Sequence, residues 1–145
     1  MEPDDSKALA SQLFNGCWDL LENNLRTPDD DVTLLTLAFT SRYHWQGVGA
    51  PQQLAIADWM VSRSAAAVGF GDLAVTFAER AARSSEGQAD WLVASAAEGL
   101  ARAYAAAGDT AKRNEWADKA SALVEVISDA EERALIAEQL ASVPE

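Results

Sequence analysis

The residue types best suited to chemistry stand side by side in the run Arg42, Tyr43, His44 and Trp45. His44 is the only histidine of the chain, and an imidazolium near a helix C-terminus is stabilised by the helix dipole. The run therefore admits a pH-sensitive contact, a proton shuttle, or catalysis by His44 with Asp58. Packing at the end of a helix is the favoured interpretation, because no spacing fixes a nucleophile, a base and an orienting group together.

Cys17 is the only cysteine, and its apolar neighbours predict a buried helix face rather than a reactive thiol. One histidine and one cysteine form no recognised metal-ligand spacing. The acidic run at 29–31 lacks the alternation and the glycine of a calcium loop. The two glycines at 69 and 71 follow an expected helix rather than a strand, unlike a phosphate-binding loop. We therefore expect neither a metal nor a cofactor.

The charge balance argues against polyanionic partners. Eleven Lys and Arg residues against 23 Asp and Glu residues give a net charge of -12, so the averaged field repels nucleic acid and anionic membranes. The 145 residues, 49% of them hydrophobic, are enough for one domain spanning 1–145. No apolar stretch has the length of a membrane span or of a secretory signal. We expect a cytoplasmic protein with no membrane association.

The elements that must position these residues all have the pattern of helices. Alanine is the commonest residue, and no strand-hairpin signal separates alternating segments. Thr27 with Pro28 predicts a helix start, and Gly69 and Gly108 predict helix ends. The chain is thus predicted to be all-α with about seven helices: a divergent N-terminal hairpin at 6–46, repeat-like hairpins at 51–83 and 88–127, and a capping helix at 129–142.

Three further helix starts follow from capping signals. The Ser85-x-x-Gln88 spacing predicts the start of a long fifth helix, and Asp109 predicts a cap for the sixth. A second capping box at 128–131 predicts the start of the last helix. That helix carries a stripe of small residues: Ala130, Ala134, Ala137 and Ala141. We expect this stripe to cap the stack or to form a homodimer contact.

Two segments between about 53 and 123 share a spacing of small residues and glycines. The first has Gly69, Ala74, Ala78 and Ala81, and the second has Leu100, Ala101, Tyr104, Gly108, Asp109 and Ala120. This spacing resembles the tetratricopeptide repeat, whose small residues let two antiparallel helices approach closely. The chain also resembles small bacterial helical-repeat proteins, through residues 41–45 and 59–69. The resemblance implies antiparallel hairpins stacked as a short right-handed solenoid, although the two glycine stops lie further apart than the repeat length of about 34 residues.

In the tetratricopeptide family, ligand contacts come from residues ten and six places before the terminating glycine. The resemblance therefore implies Trp59, Arg63, Glu98 and Arg102 as binding residues, with Arg42, His44 and Trp45 at the rim. Guanidinium groups suit carboxylate or phosphate, and an indole supplies a stacking face. In the alternative interpretation these side chains contact other parts of the chain and no ligand: Arg63 pairs with Glu98, and Trp59 fills space between helices.

The leading functional hypothesis is a non-catalytic module that holds a protein or peptide segment in the concave groove of the stack. A second hypothesis is a small-molecule pocket or enzyme in the same concavity, which a closed apolar cavity would favour. A third is a self-assembling structural protein, which a dimer through the last helix would support.

Overall fold

Seven α-helices and no strands make up the chain, and the computed structural model describes all of residues 1–145. The prediction of an all-α protein is confirmed. No helix combines the length and the apolar character that crossing a membrane requires. In chain order the helices are α1 (Pro3–Leu21), α2 (Pro28–Val48), α3 (Pro51–Ala67), α4 (Gly71–Ser85), α5 (Asp90–Ala106), α6 (Thr110–Glu125) and α7 (Ala130–Ala141).

The strongest predicted helix starts are confirmed. The Thr27 hydroxyl accepts a hydrogen bond from the Asp30 backbone N–H at 3.1 Å, and the Asp30 carboxylate accepts one from the Thr27 N–H at 3.0 Å. This capping box satisfies donors that would otherwise be unpaired at the start of α2. The Asp109 carboxylate caps α6 through the Lys112 N–H at 3.0 Å. The first helix begins earlier than expected, since Pro3 rather than a residue near Ser6 is its first position.

The predicted stops at Gly69 and Gly108 are also confirmed. Their φ angles of +89° and +78° lie in the left-handed region, where glycine has no steric penalty. The N–H after each glycine turns back into the preceding helix: Phe70 donates to the Ala65 carbonyl at 2.9 Å, and Asp109 donates to the Tyr104 carbonyl at 3.0 Å. Both ends are Schellman-type terminations.

The predicted capping box at Ser85 is wrong. Helix α4 continues through Ser85, which is buried and whose hydroxyl donates to the Ala82 carbonyl at 2.8 Å. Gly87, with a φ of +76°, then makes the turn, and α5 begins at Asp90. The spacing was misleading because a serine can bond back within its own helix as readily as cap the next one.

The start of α7 also differs from its prediction by one residue. The cap is Asp129, whose carboxylate accepts from the Glu132 N–H at 2.9 Å, while the Ser128 N–H donates to Asp90 at 3.1 Å. The predicted alanine stripe of α7 is exposed, and α7 is held to the stack by the buried Ile136. The alanine stripe therefore does not cap the stack, and the homodimer contact stays a prediction.

Successive helices pack as the hairpins α1–α2, α3–α4 and α5–α6, with α7 against α5 and α6. Small residues make the close approach feasible. A Cβ atom on Gly71 would lie 2.6 Å from the Ala107 Cα, and the Ser62 hydroxyl reaches the Ala74 carbonyl at 2.8 Å. Because α3 contacts α1 and α5, and α5 contacts α7, these four helices can line a common surface. The right-handed solenoid stays a prediction.

Candidate functional site

A carboxylate without solvent exposure lies between α3 and α5, at Glu98. Its Oε1 atom accepts hydrogen bonds from Arg102, at 3.0 Å from Nε and 2.8 Å from Nη2, and from Arg63 Nη1 at 3.4 Å. Its Oε2 atom accepts from the Trp59 indole N–H at 3.3 Å. The four residues implied by the repeat resemblance therefore form one cluster, in which the internal Arg63–Glu98 pairing is present.

The cluster carries one excess positive charge, because two guanidinium groups share one carboxylate. Burial, followed by repulsion from Arg102, lowers the pKa of Arg63 to about 10, and attraction to Glu98 opposes that change. Arg63 is therefore still a cation at neutral pH. Its guanidinium carbon lies 5.0 Å from the ring centroid of Trp18 and 5.6 Å from that of Trp59. Both distances are within the range of cation–π attraction.

The position of the Trp59 indole depends on a glycine of the facing helix. A Cβ atom on Gly99 would lie 2.9 Å from Trp59 Cδ1 and 3.2 Å from Nε1. The indole is also fixed by its N–H, which donates to the Ser95 carbonyl at 3.1 Å as well as to Glu98. Gly99 thus provides the space in which the Trp59 ring reaches α5.

An apolar pocket of about 400 Å³ lies beside this cluster. It is open to solvent along Leu135, whose side chain is 56% exposed. Only Ser95, Glu132 and Gln139 contribute polar side chains to its wall. We call it the apolar pocket; its hydrophobic lining comes from α1, α3, α5 and α7, with Phe14, Trp18, Ile56, Trp59, Trp91, Leu92, Leu135 and Ile136.

The sequence interpretation named Trp59 but missed the rest of this lining. Trp18 and Trp91 are both half-buried and line the pocket. Phe14 and Trp18 are four residues apart and so share a face of α1, a signal that could have indicated a common surface. The contribution of Leu135 and Ile136 depends on where α7 packs, which local spacing does not reveal.

A second concave surface of about 340 Å³ lies further along the same helices. Helix α3 contributes Ile56 and Trp59 to the apolar pocket and Arg63 to this second surface, and α5 likewise passes from Leu92 to Arg102. We call the second surface the arginine pocket; its lining is Leu21, Asn24, Arg26, Arg63, Ala66, Ala67, Arg102, Ala105, Ala106 and Pro144.

Glu132 is the acidic group at the wall of the apolar pocket. Desolvation, followed by repulsion from Asp129 and Asp90, raises the pKa of its carboxyl. The three carboxylates place negative charge at this side of the apolar pocket. The arginine pocket is lined instead by the three cationic side chains Arg26, Arg63 and Arg102.

None of the three predicted rim residues, Arg42, His44 and Trp45, lines the apolar pocket. Trp45 lines a small cavity that shares Phe14 and Ile56 with the apolar pocket. Arg42 instead pairs with the buried Asp58 at 2.5 Å, and His44 lies edge-on to its neighbour Tyr43.

The proposed catalytic pair of His44 and Asp58 is not formed. The Asp58 carboxylate faces Arg42 through Oδ1 and Arg80 through Oδ2, the latter at 3.6 Å, and no hydrogen bond joins it to His44. Asp58 therefore holds α2, α3 and α4 together.

Cys17 is fully buried, as predicted, and its thiol faces the Leu34 carbonyl at 4.0 Å. Burial raises the pKa of the Cys17 thiol to about 11, although its backbone hydrogen bond opposes the shift. The thiol is therefore protonated at neutral pH and inaccessible. No three His, Cys, Asp or Glu side chains converge in the way that a metal site requires.

Comparisons with protein-family models, curated proteins and solved structures found no match to the chain. The likeness to tetratricopeptide repeats therefore rests on the residues quoted from the sequence. The helical hairpins are compatible with that likeness but also with other helical folds.

Proposed function

We propose that this protein is a non-catalytic interaction module of the cytoplasm that binds a protein or peptide segment in its concave groove. The observation that carries the proposal is the apolar pocket, in which four aromatic side chains surround a space open to solvent. Large aromatic residues in a concave, preformed surface provide much of the binding energy of typical interfaces. The single unpaired cysteine accords with a reducing compartment.

The pocket suits a bulky side chain of a peptide. Its volume of about 400 Å³ exceeds what one leucine or phenylalanine fills, so it can accept one or two such groups. The Trp59 indole in its wall is fixed by hydrogen bonds to Ser95 and Glu98. A preformed wall reduces the ordering cost of binding.

Three buried candidate reactive groups, Glu98, Asp58 and Cys17, support binding over catalysis. The Glu98 and Asp58 carboxylates are both bonded to arginines, and the Cys17 thiol is buried. A general base needs a lone pair directed at its substrate. None of these three groups offers one to the apolar pocket.

Selection from a phage-displayed library of random linear peptides tests this function. We expect the wild-type protein to enrich peptides with a large aliphatic or aromatic residue. Leu135→Asp places a charge at the pocket entrance and should abolish capture of those peptides, with little effect on folding because Leu135 is exposed. Val126→Asp is the matched control: Val126 is 69% exposed and lies outside the pocket. Equal capture by both variants would contradict the proposal.

A small apolar molecule is the second candidate ligand, because the volume of the apolar pocket falls within the range of about 300–1,000 Å³ typical of small-molecule sites. Native mass spectrometry of the purified protein distinguishes the two. A retained discrete mass on wild type and on Val126→Asp, absent from Leu135→Asp, would favour the small molecule. Its absence together with peptide enrichment would favour the interaction module.

A further inference from the structure

We propose that the peptide bound in the apolar pocket carries a lysine or arginine, whose charged group pairs with Glu132 at the wall of that pocket. The identification of the ligand as a peptide rests on the proposed function. The assignment of its charge rests on the carboxylates at one end of the pocket, on the aromatic wall beside them and on the arginines of the chain itself.

The two ends of the apolar pocket differ in charge, because α5 and α7 run side by side in the same direction. At their starts, the Asp90 carboxylate accepts a hydrogen bond from the Ser128 N–H at 3.1 Å. Near their ends, Arg102 donates to the Gln139 carbonyl at 2.9 Å. Glu132 and Gln139 both line the pocket, and seven residues of helix span about 10 Å. Glu132 therefore lies at the end of the pocket away from Arg102.

Glu132, unlike its neighbours Asp90 and Asp129, has a carboxylate with no partner within the chain. Asp129 caps α7 through the Glu132 N–H, and Asp90 bonds both the N–H and the hydroxyl of Ser128. No hydrogen bond or ion pair involves the Glu132 side chain, which is half-buried at the pocket wall. Desolvation and then repulsion from the two neighbouring acids raise its pKa, and a bound cation would offset that repulsion.

The arginines of α3, α5 and α7 leave Glu132 without a counter-ion. Arg133 is next to it in the sequence, but directs Nη1 to a backbone carbonyl at 2.8 Å and forms no ion pair. Arg63 and Arg102 are bonded to the buried Glu98 instead. This end of the pocket therefore keeps its negative charge, in a chain whose net charge of -12 attracts cationic partners.

The aromatic wall at this end can stabilise a cation as well as an apolar group. Trp91, in the first turn of α5, lines the pocket and has no cation–π contact within the chain, whereas Arg63 contacts the other two pocket tryptophans. Lysine and arginine bury an aliphatic stem on apolar surface while the charged head stays in water. Such a stem fits against Trp91 and the exposed Leu135, with its head at Glu132.

The geometry of α7 constrains the position of the cationic residue in the peptide. Glu132 and Ile136 both line the pocket and are one helical turn apart, or about 6 Å along the axis. Successive residues of an extended peptide advance by about 3.3–3.6 Å. We therefore expect the lysine or arginine within about two residues of the apolar side chain that enters the pocket.

The charge preference is tested with three fragments of similar size: 2-phenylethylammonium, neutral 2-phenylethanol and anionic phenylacetate. Nuclear magnetic resonance follows the Trp91 indole N–H signal during each titration, at the same low ionic strength. We expect the ammonium to bind at least about threefold more tightly than the alcohol, as a partly exposed ion pair allows, and the anion to bind most weakly. No saturable shift with the ammonium, equal binding of ammonium and alcohol, or tighter binding of the anion would overturn the assignment.

Two glutamine variants of α7 localise the preference. Glu132→Gln removes the charge at nearly constant size and breaks no bond within the chain, and it should make the ammonium bind as weakly as the alcohol. Glu138→Gln is the matched control, because it removes the same charge from an exposed site of the same helix outside the pocket. It should retain the preference. A preference that survives in Glu132→Gln, or that is lost equally in Glu138→Gln, would overturn the assignment.

Peptides selected on the two variants separate the cation site from the proposed function. Selection on Glu138→Gln should enrich lysine or arginine beside the large apolar residue, and selection on Glu132→Gln should not, although both chains have the same net charge. Ammonium preference without any peptide selection would retain the cation site and refute the proposed function. Selected peptides without this enrichment, together with equal binding of ammonium and alcohol, would overturn the cation site and leave the proposed function standing.

Discussion

Replacing Gly99 with alanine should destabilise the protein, although alanine is the better helix former. The new Cβ atom would lie 2.9 Å from Trp59 Cδ1, well inside the comfortable carbon–carbon separation of about 3.5–4.0 Å. The indole cannot retreat without losing its hydrogen bonds to Ser95 and Glu98. Overpacking costs about 1–3 kcal/mol, and the gain in helix propensity is at most about 1 kcal/mol. We therefore expect a net loss of up to about 2 kcal/mol.

Urea denaturation followed by circular dichroism measures this loss directly. Gly47→Ala is the matched control, because Gly47 also lies in a helix but a Cβ atom there would meet nothing within 4 Å. That variant should be neutral or more stable than wild type. If the free energies of unfolding of the two variants were equal, the close packing of Trp59 against α5 would be refuted.

Two further predictions concern buried titratable groups. Glu98→Gln should lower the free energy of unfolding, measured by urea denaturation, by about 3–5 kcal/mol, because it leaves two arginines without a counter-ion. The control Glu115→Gln, at an exposed ion pair, should lower it by less than about 1 kcal/mol. Similar losses for the two variants would contradict the buried cluster. Because the pKa of Cys17 is raised, its protonated thiol contributes fully to the stability of the folded state below pH 9.0, the usual pKa of a thiol. That contribution is lost as the pH rises towards 11. Over that range wild type should lose roughly 2–3 kcal/mol relative to Cys17→Ala, and parallel curves of stability against pH would disagree with burial of the thiol.

Much of the fold was predictable because its helix boundaries depend on local chemistry. The capping box at Thr27 and the left-handed glycines at 69 and 108 act within a few residues, and each is where the sequence indicated it. The errors arose at helix boundaries where a serine has more than one possible hydrogen-bond partner or where a neighbouring residue can cap the helix instead. Ser85 and Ser128 have capping spacings, but Ser85 bonds back to its own helix and Asp129 provides the cap of α7.

The candidate site was predictable only in part. Trp59, Arg63, Glu98 and Arg102 were singled out by the resemblance to the tetratricopeptide repeat, and the structure brings these four side chains together. The pocket linings were not predicted, because Phe14 and the residues of α7 approach α3 and α5 only through tertiary packing.

The most direct measurement of groove binding follows the indole N–H signals of the five tryptophans while a selected peptide is added. Trp18, Trp59 and Trp91 line the apolar pocket, whereas Trp116 lies outside it, packed beside Lys119. Binding in the groove predicts saturable shifts of the first three signals and none for Trp116. Unchanged signals from the three pocket tryptophans in the presence of bound peptide would contradict it.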